Sequence, residues 1–121
     1  AQVVSLHVPL TPETTRLLDA AAFARMPVGA VLVNTARGAI IDTPALVAAL
    51  QSGKIGGAGF DVYDVEPLPP DHPLWSSPNL IISPHVAGSN GARGRERLAD
   101  FVVANVGRYV SGQAATHIVE L

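Results

Sequence analysis

Four short apolar runs punctuate the chain: VVSLHV at 3–8, AVLVNT at 30–35, GAGFDVY at 57–63 and NLIIS at 79–83. The first, second and fourth are nearly unbroken in Val, Ile and Leu, the pattern of strands covered on both faces, as in a parallel sheet. Helical signals fall between them. Thr11-Pro12-Glu13 reads as an N-cap with Pro at the first helical position. It opens a helix running to Met26 that carries Leu17, Leu18, Ala21, Ala22 and Ala24. Asp42 is a good N-cap for residues 43–53, with Leu46, Ala49 and Leu50 on one face and Gly53 as C-cap. A longer helix starts at Ser89 or Asn90. Its apolar stripe is Leu98, Val102, Val106 and Tyr109, and Gly112 marks its end. Residues 64–79 differ, with five of the ten prolines. That segment reads as a structured loop, hostile to helix and held down by Leu74 and Trp75. The last six residues, THIVEL, read as a short strand leaving the domain.

Strand, helix, strand, helix, strand, loop, strand, helix is the order of a parallel α/β sheet of about four strands with flanking helices. Composition agrees. Of 121 residues, 48% are hydrophobic and 15% charged, which fits one domain with an apolar interior and excludes a disordered tail. The net charge of −2 offers no basic face for nucleic acid. There is no cysteine for a disulfide or a thiolate. No apolar run approaches the ~20 residues of a membrane span, and the opening residues are not expected to act as a signal peptide. Ala1 in place of a starting Met points to processing or excision from something longer.

In open parallel sheets, ligands bind beyond the carboxyl ends of the strands. His7, Pro9 and Thr11 follow the first run; Asn34, Thr35 and Arg37 follow the second. Asp61 and Glu66 end the third, and His85 with VAGSNG follows the fourth. Arginine, carboxylates and histidine thus arrive at one sheet edge from separate runs. That set can bind an anion and move a proton: guanidinium for a carboxylate, imidazole as acid or base, carboxylate to orient the imidazole. Each residue also has a plainer reading. Arg37 is then a solvated loop charge, His85 a structural or exposed side chain, Glu66 a cap of the proline-rich loop, and Asp61 an acceptor for neighbouring backbone amides. GGAGFD at 56–61 is not a phosphate loop, because it leads into a strand and has Val62 where a third glycine is needed. HVAGSNGARG opens a helix after a strand but matches no phosphate-binding spacing.

The phrases SLHVPLTPET, MPVGAVLVNTARGAIID, GKIGGAGFDVYDVEPLPPDHPLW and PNLIISPHVAG resemble the D-isomer-specific 2-hydroxyacid dehydrogenases, over nearly all of residues 1–112. The resemblance implies the second half of a Rossmann-like, doubly wound nucleotide-binding domain, with residues 90–121 as trailing helix and tail. The Gly-rich half and the substrate domain of the family have no counterpart in these residues, which leaves residues 3–8 as a sheet edge. It implies NAD or NADP as cofactor, no metal, and a small 2-oxo acid as substrate, as in glyoxylate/hydroxypyruvate reductase-like enzymes. Arg37 corresponds to the arginine that grips the substrate's carboxylate and carbonyl. His85 corresponds to the acid/base, and Glu66 to the carboxylate paired with it that keeps it protonated to higher pH. Asp61 corresponds to the residue meeting the nicotinamide carboxamide, helped by the Thr35 backbone. His7 and Pro9 line the cofactor, and Ala87 and Gly88 approach the nicotinamide through backbone. The family reading further implies a cytoplasmic homo-oligomer without nucleic-acid or membrane partners. A non-catalytic binding protein of corepressor type, or an assembly domain, shares this fold and is the alternative.

Overall fold

The computed structural model describes residues 1–88 and 91–118. It divides into two compact units, Ala1–Ala87 and Gly88–Leu121.

The first unit is a four-stranded parallel sheet in the order β1-β2-β3-β4. Its strands are β1 (Val3–Leu6), β2 (Ala30–Asn34), β3 (Ile55–Phe60) and β4 (Leu80–Ile82), with helices α1 (Ala20–Arg25) and α2 (Thr43–Gln51) between them. This is the expected open α/β sheet of Rossmann-like type. Sequential strands are spatial neighbours, so all four carboxyl ends, and the residues that follow them, share one edge.

The α2 helix forms as the pattern predicts. The Asp42 carboxylate accepts from the Ala45 amide, Pro44 occupies the first turn where its missing N–H costs nothing, and Leu46, Ala49 and Leu50 are buried. Ser52 is the C-cap, and Gly53 beyond it takes the left-handed conformation at φ +73°.

The first helix departs from expectation. Residues 11–17 form turns, and α1 begins only at Ala20, capped by Asp19. The Thr14 and Thr15 hydroxyls bond back to Pro9 and Thr11 carbonyls, competing with a helical ladder. Arg16 lies at φ +52°, and Leu18 instead forms a parallel bridge with Ile41. A tertiary contact therefore overrides the Thr-Pro-Glu signal.

The expectation of strands covered on both faces is also corrected. Leu6, Leu32, Ala58 and Phe60 are buried on one face, with α2 packed against β3. On the other face Val3 and Ile81 are 60% and 75% exposed. Both lie on edge strands, and both crossover helices of this unit pack against each other. In the proline-rich loop Leu74 is buried as expected, but Trp75 is half exposed. The tryptophan ring reaches the loop itself, its Nε1–H donating to the Pro69 carbonyl at 2.7 Å.

The second unit contains α3 (Gly91–Val110), which ends just before Gly112 at φ +73°. None of its described side chains is buried. Its expected starting residues, Ser89 and Asn90, lie outside the described residues, as do the last three residues of the expected terminal strand. Thr116–Ile118 are not in a strand. No described helix is long and apolar enough to cross a membrane.

Candidate active site

At the end of β2 the chain must turn without losing backbone partners. Asn34 supplies them. It is fully buried, its Nδ2 donates to the Arg37 carbonyl, and its Oδ1 accepts from the Ala36 amide, both at 3.0 Å. Its own carbonyl accepts from the Asp61 amide, joining the ends of β2 and β3. The next residue after Arg37 is glycine for a steric reason. A Cβ on Gly38 would sit 1.9 Å from the Tyr63 carbonyl carbon, inside any permitted contact. The turn thus presses backbone to backbone against the β3 exit. Its result is an exposed Arg37 side chain, whose Nη1 donates to the Ala36 carbonyl and which forms no ion pair within 4.0 Å among the described residues.

The β3 exit supplies both carboxylates, in opposite environments. Asp61 is 3% exposed, so its charge needs donors. It has three: the Ser83 hydroxyl at 2.5 Å and the Val86 amide at 2.9 Å on Oδ1, and the Ala87 amide at 2.7 Å on Oδ2. Burial by itself would raise its pKa, but the Ser83, Ala87 and Val86 donors outweigh it and hold the carboxyl below its ordinary range. Asp61 therefore ties the β4 exit to β3, and one acceptor position on Oδ2 remains for a further donor. Glu66, by contrast, is exposed and precedes a cis bond to Pro67. Its Oε2 lies 2.6 Å from His85 Nδ1, and its Oε1 accepts from the Tyr63 amide at 2.9 Å. Those hydrogen bonds, His85 first, lower the Glu66 pKa, with a smaller contribution from the positive charge of Arg37.

His85 leaves β4 through a tight turn, its amide donating to the Ser83 carbonyl at 3.1 Å and its φ at +55°. Histidine enters that left-handed region more readily than most residues, and such backbone positions cluster at functional sites. An ionised Glu66 can only accept, so Nδ1 carries the shared proton and Nε2 is left for another partner.

Two spaces adjoin these groups. A cleft of about 580 Å³ is lined by His7, Pro9, Thr35 and Arg37 at the ends of β1 and β2. His7 is steadied there by a 2.7 Å contact between Nε2 and the Ser5 hydroxyl. A smaller cavity of about 220 Å³ lies beside Glu66 and His85, walled by Tyr63, Leu68, Trp75 and Ile82. Ala87 is exposed but spends its amide on Asp61; Gly88 opens the second unit.

The expected residues Arg37, Glu66 and His85 therefore come to one edge, with His7, Pro9 and Thr35 beside Arg37. Sequence reasoning did not assign roles to Asn34, Ser83 and Tyr63. An amide closing an apolar run directly before a turn was the available signal for Asn34. Nothing local marked the other two.

Residues 1–87 match the family described as "D-isomer specific 2-hydroxyacid dehydrogenase, NAD binding domain". A glyoxylate reductase from Thermofilum pendens is 41% identical over 119 residues, 98% of this chain and 35% of that protein. A glycerate dehydrogenase from Methylorubrum extorquens is 44% identical over 115 residues, 93% of this chain and 36% of that protein. The chain thus spans about a third of the length of these relatives. A D-isomer specific 2-hydroxyacid dehydrogenase from Xanthobacter autotrophicus, solved with NADPH and MES, superimposes with a TM-score of 0.86 at 40% identity, covering 99% of this chain and 48% of that one. The strand-end constellation and the sequence match lead to one conclusion: the chain belongs to the D-isomer specific 2-hydroxyacid dehydrogenase family, in its NAD-binding domain.

Proposed function

We propose that this chain forms the catalytic, nicotinamide-side part of an NAD(P)-dependent dehydrogenase that interconverts a small 2-oxo acid and its 2-hydroxy acid. The observation that carries this reading is the 2.6 Å His85–Glu66 pair at the sheet edge, where the exposed Arg37 also emerges after β2. Arg37 binds the substrate carboxylate, for which its planar fork is matched. Glu66 accepts from Nδ1 and orients the ring. His85 gives the carbonyl oxygen its proton from Nε2 during reduction and takes it back during oxidation.

The cleft at His7, Pro9 and Thr35 fits the nicotinamide end of a dinucleotide, having both polar and apolar walls at the strand carboxyl ends. Asp61 would offer its remaining acceptor position to the carboxamide, and the backbone of Thr35 and Ala87 would face the nicotinamide. A bound nicotinamide supplies or takes up the hydride. Relatives that act on glyoxylate and glycerate, and a relative bound to NADPH, support the substrate and cofactor classes.

The test is a chimera in which this chain replaces the matching third of the Thermofilum pendens glyoxylate reductase. It is expected to reduce glyoxylate. Arg37→Ala should remove roughly 2–5 kcal/mol of transition-state binding, as for other desolvated charge pairs. A fall in kcat/KM of less than about tenfold, ~1.4 kcal/mol, would overturn the assignment. His85→Gln should abolish turnover while cofactor affinity persists. The 121 residues hold no Gly-x-Gly-x-x-Gly turn, the element that grips pyrophosphate in this fold. Calorimetric titration of the chain by itself with NADPH should accordingly show affinity weaker than micromolar.

A further inference from the structure

The His85–Glu66 pair closes through a third residue. Tyr63 is buried; its amide bonds Glu66 directly, and its hydroxyl is linked to His85 through the Ser83 carbonyl. Its backbone amide donates to Glu66 Oε1 at 2.9 Å. Its hydroxyl lies 2.9 Å from the Ser83 carbonyl and 2.9 Å from the Phe60 carbonyl. The same Ser83 carbonyl accepts the His85 amide at 3.1 Å, the bond that shapes the turn presenting the imidazole. A carbonyl has two lone pairs, so both bonds are accommodated. The ring of contacts runs Tyr63, Glu66, His85, Ser83 and back to Tyr63. Gly38 packs against the Tyr63 backbone with no room for a Cβ, so the turn that carries Arg37 rests on the same residue.

We infer that Tyr63 is a positioning residue for the proton-transfer pair, its hydroxyl holding the His85 turn while its amide holds Glu66. The phenol never touches substrate. It acts by fixing the distance between two partly exposed side chains, which in solvent would otherwise sample many separations. Burial raises the Tyr63 pKa, so the hydroxyl stays a neutral donor across the neutral range.

This role rests on the reading of His85 and Glu66 as the reacting pair, and its test is independent of turnover. The imidazole nitrogens of His85 are observed by ¹⁵N NMR in the 121-residue chain, assigned by loss of the signals in His85→Gln. At a pH high enough for the ring to be neutral, its single proton in the native chain should sit on Nδ1, facing Glu66. In Tyr63→Phe, which keeps every ring carbon, the population should shift towards the Nε2 tautomer, while Tyr109→Phe leaves it unchanged. Identical ring shifts in native chain and Tyr63→Phe would overturn the inference. Should Tyr63→Phe fail to fold, 3,5-difluorotyrosine in a Tyr109→Phe background titrates the hydroxyl alone. The tautomer shift must then appear as that phenol ionises, and its absence is equally fatal. In the chimera, Tyr63→Phe should lower kcat about tenfold with KM little changed, the mark of an interaction that matters in the transition state. Turnover surviving His85→Gln would instead sink the reading of the pair, whatever the tautomer result.

Discussion

At the end of β2 a buried neutral amide, Asn34, holds the turn that presents Arg37; at the end of β3 a buried carboxylate, Asp61, reaches across to hold the segment that follows His85 after β4. Both devices satisfy backbone groups that a strand end leaves without partners. They differ in what disturbs them. An amide has no titration, and the Arg37 turn is further locked by the backbone contact at Gly38. A carboxylate binds its amides more strongly but only while ionised. The turn that carries Arg37 is therefore built to be indifferent to pH, and the segment that follows His85 is not.

The contrast can be broken most forcefully at Gly38. Gly38→Ala drives a methyl into the Tyr63 backbone, which cannot swing aside as a side chain could. It should cost at least about 3 kcal/mol, read as a lower urea midpoint. A loss under about 1 kcal/mol would mean that the two turns are not in rigid contact.

Removing the charged clamp comes next. Asp61→Ala strips the Val86 and Ala87 amides of their acceptor and should cost about 2–3 kcal/mol at neutral pH. Its pH dependence has a fixed sign. The folded pKa of Asp61 is below its ordinary 3.8, so the group contributes stability above that value and loses it as pH falls through the lower, folded value. The difference between native chain and variant should therefore shrink in acid. Asn34→Ala, by comparison, should cost about 2 kcal/mol with no change between pH 3 and 7. Equal pH profiles for the two variants would erase the distinction between the turns.

Glu66 gives a smaller effect, because it is partly exposed. Its pKa too lies below the ordinary 4.5, so its contribution is present above about that pH and fades below it. Thermal melts of Glu66→Gln and native chain should converge in acid. The smallest change is expected at Trp75, which is half exposed and holds one loop bond. Trp75→Phe should cost about 0.5–1 kcal/mol, the net worth of that hydrogen bond, and leave the His85 nitrogen signals in place.

Much of the first unit was legible from patterning. Apolar runs, three of the four rich in Val, Ile and Leu, place all four strands within a few residues, because such a run has few other uses. The α2 helix was legible to its cap, since Asp42, Pro44 and the Leu46–Leu50 face all agree. The α1 start was not, because Thr11-Pro12-Glu13 is a valid local signal defeated by the distant Leu18–Ile41 bridge. Burial on the sheet faces was also misjudged. Unbroken apolarity reports that a face can be covered, not that these residues cover it.

By itself the sequence determined which side chains reach the functional edge, since in a parallel sheet the residue after each strand has only one end to emerge from. It placed Arg37, Glu66 and His85 there without any knowledge of their distances. Only the tertiary structure decided how they are held. The His85–Glu66 bond spans 19 positions and the Asp61–Ala87 bond 26, separations at which no local propensity acts. Tyr63 reads in the sequence as one more apolar residue at a strand exit. Its part in the site exists only because β3 and β4 are neighbours, which puts the Ser83 carbonyl within reach of a hydroxyl 20 positions away.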